Sequence, residues 1–278
     1  MLQNRIQLYK VVLRQVWPLA IEEIKDIFSK KRSLLFFFLY IGMVLLTMQY
    51  IANISNYLQE NPNLDELIKI ISSFLVSDNT GKSIDTFAWP IEIYVFQFVS
   101  ILQLPFWISM ISCDIISTDR YRGTLRFILL RSFKSSYYFS KTFAHFILYA
   151  LFQICAILVF ITCWKVLNPE LSILILIKPC FVMYALYLVF MLMVITITQT
   201  ISSFCLKTIT AMVGCILFWF IAAVLTHYLI NISPLGGHVI GGLTLPQSDF
   251  LTTAILNSLA WTCVLTICGY SIFKSKEY

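Results

Sequence analysis

Histidines, cysteines, a pair of adjacent glutamates and one Gly-Lys-Ser run are the residues of this 278-residue chain whose types could do chemistry. Gly81-Lys82-Ser83 has the ending of a phosphate-binding loop, in which backbone amides cradle the phosphates and the lysine reaches the terminal ones. The glycine such a loop needs five residues earlier is Val76, so the match is a coincidence. Glu22-Glu23 could do general acid–base work, as paired glutamates do in membrane prenyl-protein proteases, yet Ile27 stands where those enzymes need an arginine. His145, His227 and His238 are far apart and lack the H-E-x-x-H spacing that sets two imidazoles on one zinc ion. The cysteines (Cys113, Cys155, Cys163, Cys180, Cys205, Cys215, Cys263 and Cys268) fall in or beside apolar runs without a C-x-x-C pair, and read as small buried hydrophobes. Asn53-Ile54-Ser55 and Asn231-Ile232-Ser233 match the glycosylation sequon, which matters only in a eukaryotic source. The sequence offers no catalytic residue and no metal site.

The elements that would have to position such residues belong to a membrane. Hydrophobic residues make up 59% of the chain and charged ones 12%, with a mean hydropathy of +0.82. A soluble domain carries about 25% charged residues, so half the usual charge is missing. The net charge of +6 would suggest nucleic acid only if the cations clustered on a soluble module, and none is available. A bilayer-crossing helix needs about 20 apolar residues. Six segments qualify: about Leu34 to Ile51, Ile93 to Ile116, Thr142 to Trp164, Pro179 to Ser202, Thr208 to Ile230 and Phe250 to Ile272. The expected organisation is a single domain over 1–278, with a leader over 1–33, a six-span membrane domain over 34–272 and a tail over 273–278. An even number of spans puts both termini on one side.

Lysine and arginine in the loops decide which side. Sixteen fall on the side of the termini: Arg5, Lys10, Arg14, Lys25, Lys30, Lys31 and Arg32 before the first span, Arg120, Arg122, Arg126, Arg131, Lys134 and Lys141 between the second and third, Lys207, Lys274 and Lys276. Only Lys69, Lys82, Lys165 and Lys178 fall on the other, which predicts cytoplasmic termini. Lys274 and Lys276 read as topology signals alone. In the leader, Ile6, Tyr9, Leu13 and Trp17, and then after Pro18 Ile21, Ile24 and Phe28, recur at helical spacing. They predict amphipathic helices resting at the membrane surface, with packing against neighbouring spans as the alternative. Leu64, Leu67, Ile68, Ile71 and Leu75 predict another such helix in the first outer loop.

Within the six spans the only Asp, Glu, Lys or Arg is Asp114, at the cytoplasmic end of the second. Ion-coupled carriers more often show a central carboxylate, so the energy for any transport is expected from elsewhere. The polar residues inside are uncharged. Lys141, His145, Tyr149 and Gln153 recur every fourth residue at and along the third span, and Thr196, Thr198, Gln199, Thr200, Ser202 and Ser203 load the end of the fourth. Two readings are open for these groups: hydrogen bonds between helices, or a lining that faces substrate.

The segment after the second span reads Asp114-Ile115-Ile116-Ser117-Thr118-Asp119-Arg120-Tyr121-Arg122-Gly123-Thr124-Leu125-Arg126-Phe127-Ile128-Leu129-Leu130-Arg131-Ser132, and Ser140-Lys141 opens the next span. It resembles the permease subunits of type-2 ABC exporters, where an acid, a few charges, Gly-Thr-Leu, a short apolar stretch and a Gly-Lys or Ser-Lys join those two spans. Asp119, Gly123, Thr124, Leu125 and Ser140-Lys141 match. Arg126 stands where an acid is common and Arg131-Ser132 where a proline often closes the stretch, departures that point to a partner with an acidic pocket. The architecture is similar throughout, including the Pro/Gly-rich stretch from Ser233 to Pro246. In the family this stretch forms short helices that dip back into the outer leaflet; a plain exposed loop is the other reading.

The resemblance implies an all-α polytopic membrane protein with six transmembrane helices, an N-terminal interfacial helix, a cytoplasmic coupling helix and re-entrant outer helices before the last span. It implies a permease without ATPase motifs of its own, in a bacterial inner or plasma membrane. Its partners would be two cytoplasmic ABC ATPase subunits, a second permease copy or homologue, and membrane lipid, but no nucleic acid. ATP and magnesium would belong to the ATPases, leaving the permease itself with no cofactor. Asp119, Arg120, Arg122, Gly123, Thr124 and Arg126 would couple to the ATPase. A helix from about Thr118 would carry Asp119 in its first turn, Gly123 would let a partner approach closely, and Leu125, Phe127 and Leu129 would alternate between that partner and the span ends. Gln97, Gln103, His145, Tyr149, Gln153, Thr196 and Gln199 are the candidates for a substrate path. The rival reading from another class is a non-transporting assembly or sensory subunit; a membrane enzyme is a third.

Overall fold

Long runs of Leu, Ile, Val and Phe can satisfy their backbone amides in hydrocarbon within a helix, and helix is what these runs form. The computed structural model describes residues 2–60, 91–167, 169–170, 172–228 and 248–276. In chain order the helices there are α1 (Leu2–Ser29), α2 (Lys31–Glu60), α3 (Ile91–Ser112), the short α4 (Ser117–Tyr121) and α5 (Thr124–Arg131), α6 (Lys134–Leu167), α7 (Leu174–Phe204), α8 (Thr208–Tyr228) and α9 (Ser248–Ser275). The protein is all-α, without a strand among the described residues. Among the described residues, five segments are long and apolar enough to cross a membrane: Ser33–Tyr50, Val99–Tyr121, Lys134–Leu167, Leu174–Phe204 and Ile255–Ser275. The expected fifth span corresponds to α8, whose apolar stretch Thr208–Ala222 is shorter. The first-loop helix expected near Leu64 to Leu75 and the Pro/Gly-rich stretch from Ser233 to Pro246 lie outside the described residues.

Helix α7 is the centre of the bundle, packing against α3, α6, α8 and α9. Its buried Met183, Tyr187, Phe190, Met191 and Val194 join Phe96 of α3 and Leu148 and Phe160 of α6 in the main core, where Phe96 and Phe160 stack with ring centroids 4.3 Å apart. A smaller cluster of Ile115, Ile116, Leu125, Tyr137, Tyr138 and Phe273 closes one end. Helix α9 comes very close to this region, because a Cβ at Gly269 would collide with the Tyr138 and Thr200 hydroxyl oxygens.

Several sequence expectations change. Helix α6 starts at Lys134, eight residues before the expected third span, so Lys141 lies inside it. Helix α7 starts at Leu174 and runs through Pro179. The leader is one helix across Pro18 rather than two stretches, and it packs along α6. Its buried side is Ala20, Glu23 and Ile27, while Leu13, Trp17, Ile21 and Phe28 stay exposed. The helix thus docks on the bundle with one face and keeps an apolar face outward. Of the cysteines, Cys113, Cys180 and Cys215 are buried, but Cys155, Cys263 and Cys268 are exposed on helix surfaces, since in lipid an apolar side chain has no need of a protein core.

Candidate functional site

The segment between the second and third spans carries the two short helices α4 and α5 and is fixed by side chains from elsewhere. After α3 ends at Ser112, the chain turns through 113–116 into α4, whose first-turn acid is Asp119. A helix start leaves amides without intrahelical partners. The Ser202 hydroxyl of α7 accepts the backbone N–H of both Ile116 and Ser117, each at 3.1 Å. The hydroxyls of Thr118 and Thr208 meet at 2.8 Å. Gly123 then adopts φ +73°, the left-handed region open to glycine, and α5 begins. The space around Gly123 is open, so its turn conformation, not crowding, is what calls for glycine there. The Thr124 hydroxyl reaches back to the Asp119 carbonyl at 3.1 Å and closes the turn.

Because α5 is helical, its apolar residues do not alternate as expected. Leu125 is buried, Ile128 and Leu129 pack against the small core cluster, and Phe127 and Leu130 point out at 72% and 81% exposure. Tyr121 is 70% exposed, and Arg122, Arg126 and Arg131 are exposed as well. The result is an exposed apolar crest interspersed along the chain with exposed arginines and backed by buried Leu125.

Behind the crest lies a buried ion cluster. Lys141 of α6 places Nζ 2.5 Å from Glu23 Oε2 of α1 and 2.8 Å from Asp119 Oδ2 of α4. The Tyr137 hydroxyl donates to the same Asp119 oxygen at 2.7 Å. Burial pushes the Glu23 carboxyl up, but the Lys141 ammonium, with His145, outweighs it and lowers the pKa from 4.5 to about 2. His145 Nε2 stands 3.5 Å from Glu23 Oε1, and from its other nitrogen the polar chain continues inward: His145 Nδ1 to Ser112 Oγ at 2.7 Å, and Ser112 Oγ to the Tyr149 hydroxyl at 2.6 Å.

Of the remaining candidate path residues, Gln153 and Gln199 are engaged between helices. Gln153 Oε1 accepts from the Tyr40 hydroxyl of α2 at 2.8 Å. Gln199 donates to the Tyr138 carbonyl at 2.8 Å and accepts from the Thr142 hydroxyl. The Thr196 hydroxyl donates to the Met193 carbonyl at 2.8 Å and Thr196 is buried. Gln103 is half-buried on α3, and Gln97 lies in the first part of that helix. The structure therefore joins Asp119, Lys141, His145 and Tyr149 in one network, keeps Gln153 and Gln199 in separate interhelical bonds, and turns the Thr196 hydroxyl back onto its own helix. Arg122 and Arg126 face outward, and Arg120 is half-buried.

The described residues thus form a bundle of apolar helices interrupted by a basic loop that side chains of α6 and α7 hold in place. The family model described as ABC-2 family transporter protein matches residues 17–233, most of the chain. The chain belongs to this family. A search of curated proteins finds no match. The protein is thus a permease subunit of an ABC transporter, a multi-pass membrane protein without ATPase motifs of its own, of a family that generally works with cytoplasmic ABC ATPase subunits.

Two residues that hold the permease's loop, and one that caps α7, escape a motif-based reading. Glu23 carries no motif beyond the incomplete Glu22-Glu23 pair; its sequence signal is its place at helical spacing between Ala20 and Ile27, an acid on the buried face. Ser202 was one hydroxyl in a polar run, and nothing in the run marked it as a cap. Lys276 is no mere topology signal: its Nζ donates to the Ser203 and Phe204 carbonyls at 2.7 and 3.3 Å, capping the end of α7. Burial, and then the Arg120 guanidinium, lower its pKa.

Proposed function

We propose that the permease forms, with a second permease copy or homologue, the export path for a substrate not yet identified, driven by ATP hydrolysis in two separate ATPase subunits. ATP and its magnesium are held by those subunits. Both termini and the segment 117–131 face the cytoplasm, in the inner or plasma membrane of a bacterial cell. The positive-inside distribution supports this orientation, as does the meeting of Lys30 with Asp114, Lys134 with the Lys276 carbonyl and Lys276 with the end of α7 at one end of the bundle.

The observation that carries the coupling role is the exposed crest of Tyr121, Phe127 and Leu130 among Arg122, Arg126 and Arg131, backed by buried Leu125 and the Asp119–Lys141 pair. Apolar anchors ringed by charge suit a cleft with acidic walls. The transport path runs between permease copies along α2, α3 and α8, with Gln97 and Gln103 in its wall; the interior polar side chains of α6 and α7 hold the helices that form it.

The test is co-purification with the ABC ATPase encoded in a neighbouring reading frame, followed by ATP hydrolysis in lipid. A complex of two permeases and two ATPases that hydrolyses ATP is expected. A permease that purifies alone, or with sensory or assembly proteins and no ATPase, overturns the proposal.

A further inference from the structure

Lys141 is one buried cation that faces carboxylates from two different elements, and the two are held very differently. Glu23 lies on a 28-residue helix, and its side chain is 9% exposed. That helix is fastened to α6 by the Ser136 hydroxyl donating to the Val12 carbonyl at 3.2 Å, and by ring contacts of Trp17 with Phe143 and Phe28 with Phe152. Asp119 lies on a five-residue helix within a segment whose outer face is open, and its side chain is 22% exposed.

A buried lysine with a single carboxylate holds it firmly, because separation leaves an uncompensated charge in a medium of low dielectric. A lysine with a second, resident carboxylate can release the first and remain paired. With Lys141 paired to Glu23, Asp119 is the second carboxylate on the same ammonium and the member on the weaker support. We infer that Glu23 is the resident counter-ion of Lys141, a positioning residue that lets Asp119, and with it the segment 117–131, leave α6 and return during the ATPase cycle. After release the site keeps the Glu23–Lys141 pair, with His145 beside Glu23, and the neutral Tyr137 phenol next to the same ammonium at 5.3 Å. Leaving a neutral hydroxyl costs far less than leaving a charge. Helix α1 is then the fixed reference against which the segment moves. This inference rests on the coupling role proposed above.

The experiment compares amide hydrogen exchange over residues 117–131 in the permease–ATPase complex in lipid nanodiscs, nucleotide-free and trapped with Mg-ATP and vanadate. In the wild type the segment's exchange should differ between the two states. In Glu23→Gln, Asp119 becomes the only carboxylate of Lys141. The difference should shrink several-fold and kcat for ATP should fall with it, while KM for ATP stays unchanged because the nucleotide site is untouched. Glu23→Asp should restore both.

A Glu23→Gln complex with wild-type exchange differences and kcat overturns the inference. So does a uniform loss of α1 protection in both states that Glu23→Asp fails to restore, the mark of a merely structural residue. If Glu23→Gln does not assemble, Glu23→Gln/Lys141→Met removes both charges and frees Asp119. Its segment should again differ between states, and a segment that stays fixed overturns the inference. A wild-type complex whose segment ignores nucleotide refutes the coupling role itself and this inference with it, whereas Glu23→Gln behaving as wild type in a responsive complex strikes Glu23 alone.

Discussion

Ser202 of the central helix accepts the backbone N–H of Ser117 at 3.1 Å, and that of Ile116 at the same distance. One hydroxyl thereby ties the start of the loop helix to the element that touches most of the bundle. Any shift of α4 must either carry α7 along or break these bonds.

Ser202→Ala leaves two buried amides to find other partners. An unsatisfied buried donor costs about 1–3 kcal/mol, with water supplying part of the remedy at this end of the bundle. The expected result is a permease that inserts and folds with a lower thermal midpoint, and with faster amide exchange confined to residues 116–121. Exchange unchanged in that stretch would show that Ser202 does not hold the loop.

Gly123 gives a second local test. Its φ of +73° with no neighbour near a Cβ separates conformation from crowding. Gly123→Ala should cost about 1–2 kcal/mol of local stability from the left-handed backbone alone, whereas Gly123→Asn, which tolerates that region better, should cost less. Exchange of the α5 amides reads both. If the two variants destabilise α5 equally, side-chain bulk matters, and close approach of a partner becomes the reason for glycine.

The Glu23 carboxyl gives a pH signature with a defined sign. Its pKa is lowered from 4.5 to about 2 in the fold, so its contribution to holding α1 on α6 is present above about 4.5 and is lost as pH falls through about 2. Protease sensitivity of the leader, measured for wild type and Glu23→Gln in nanodiscs, should show a gap at pH 6 that narrows below about pH 4.5 and closes only below about pH 2. A gap independent of pH would mean that Glu23 is not an ionised partner of Lys141.

Patterning made the membrane helices and their shared basic end legible, because hydrocarbon imposes one length and one hydrogen-bonding solution, and cations resist crossing. Asp119, Gly123, Thr124 and Lys141 stood out as motif positions for a similar reason: a turn and two charges at fixed spacing are local. That Asp119 and Lys141 would meet, and that Glu23 would join them across the 118 residues that separate it from Lys141, depends on how α1 lies along α6, which no local pattern encodes. The polar face Lys141, His145, Tyr149 and Gln153 shows the same limit. Its period fits a lining and an interhelical seam equally, and only the placement of Ser112 and Tyr40 opposite His145, Tyr149 and Gln153 shows where those groups find partners. Pro18 suggests two stretches because a proline ring removes a backbone donor, yet α1 runs unbroken through it and packs along α6.

The crest around α5 yields the prediction that bears most directly on function. Arg122 and Arg126 are both exposed, so reversing their charge should change stability by no more than about 0.5 kcal/mol, and Arg122→Glu/Arg126→Glu should still insert and fold. Against an acidic cleft the same change replaces attraction with like-charge contact. Association with the ATPase should therefore weaken by at least tenfold, or hydrolysis in the complex should lose its response to substrate. Lys274→Glu is the matched control, because Lys274 is exposed at the end of α9. Lys276→Glu is not, since it would place a carboxylate against the Ser203 and Phe204 carbonyls and fray α7. Binding and hydrolysis of the double variant in lipid, compared with Lys274→Glu, decide the matter. If the double variant assembles and works normally, the arginines serve topology alone and the partner's contact must be sought on Tyr121, Phe127 and Leu130.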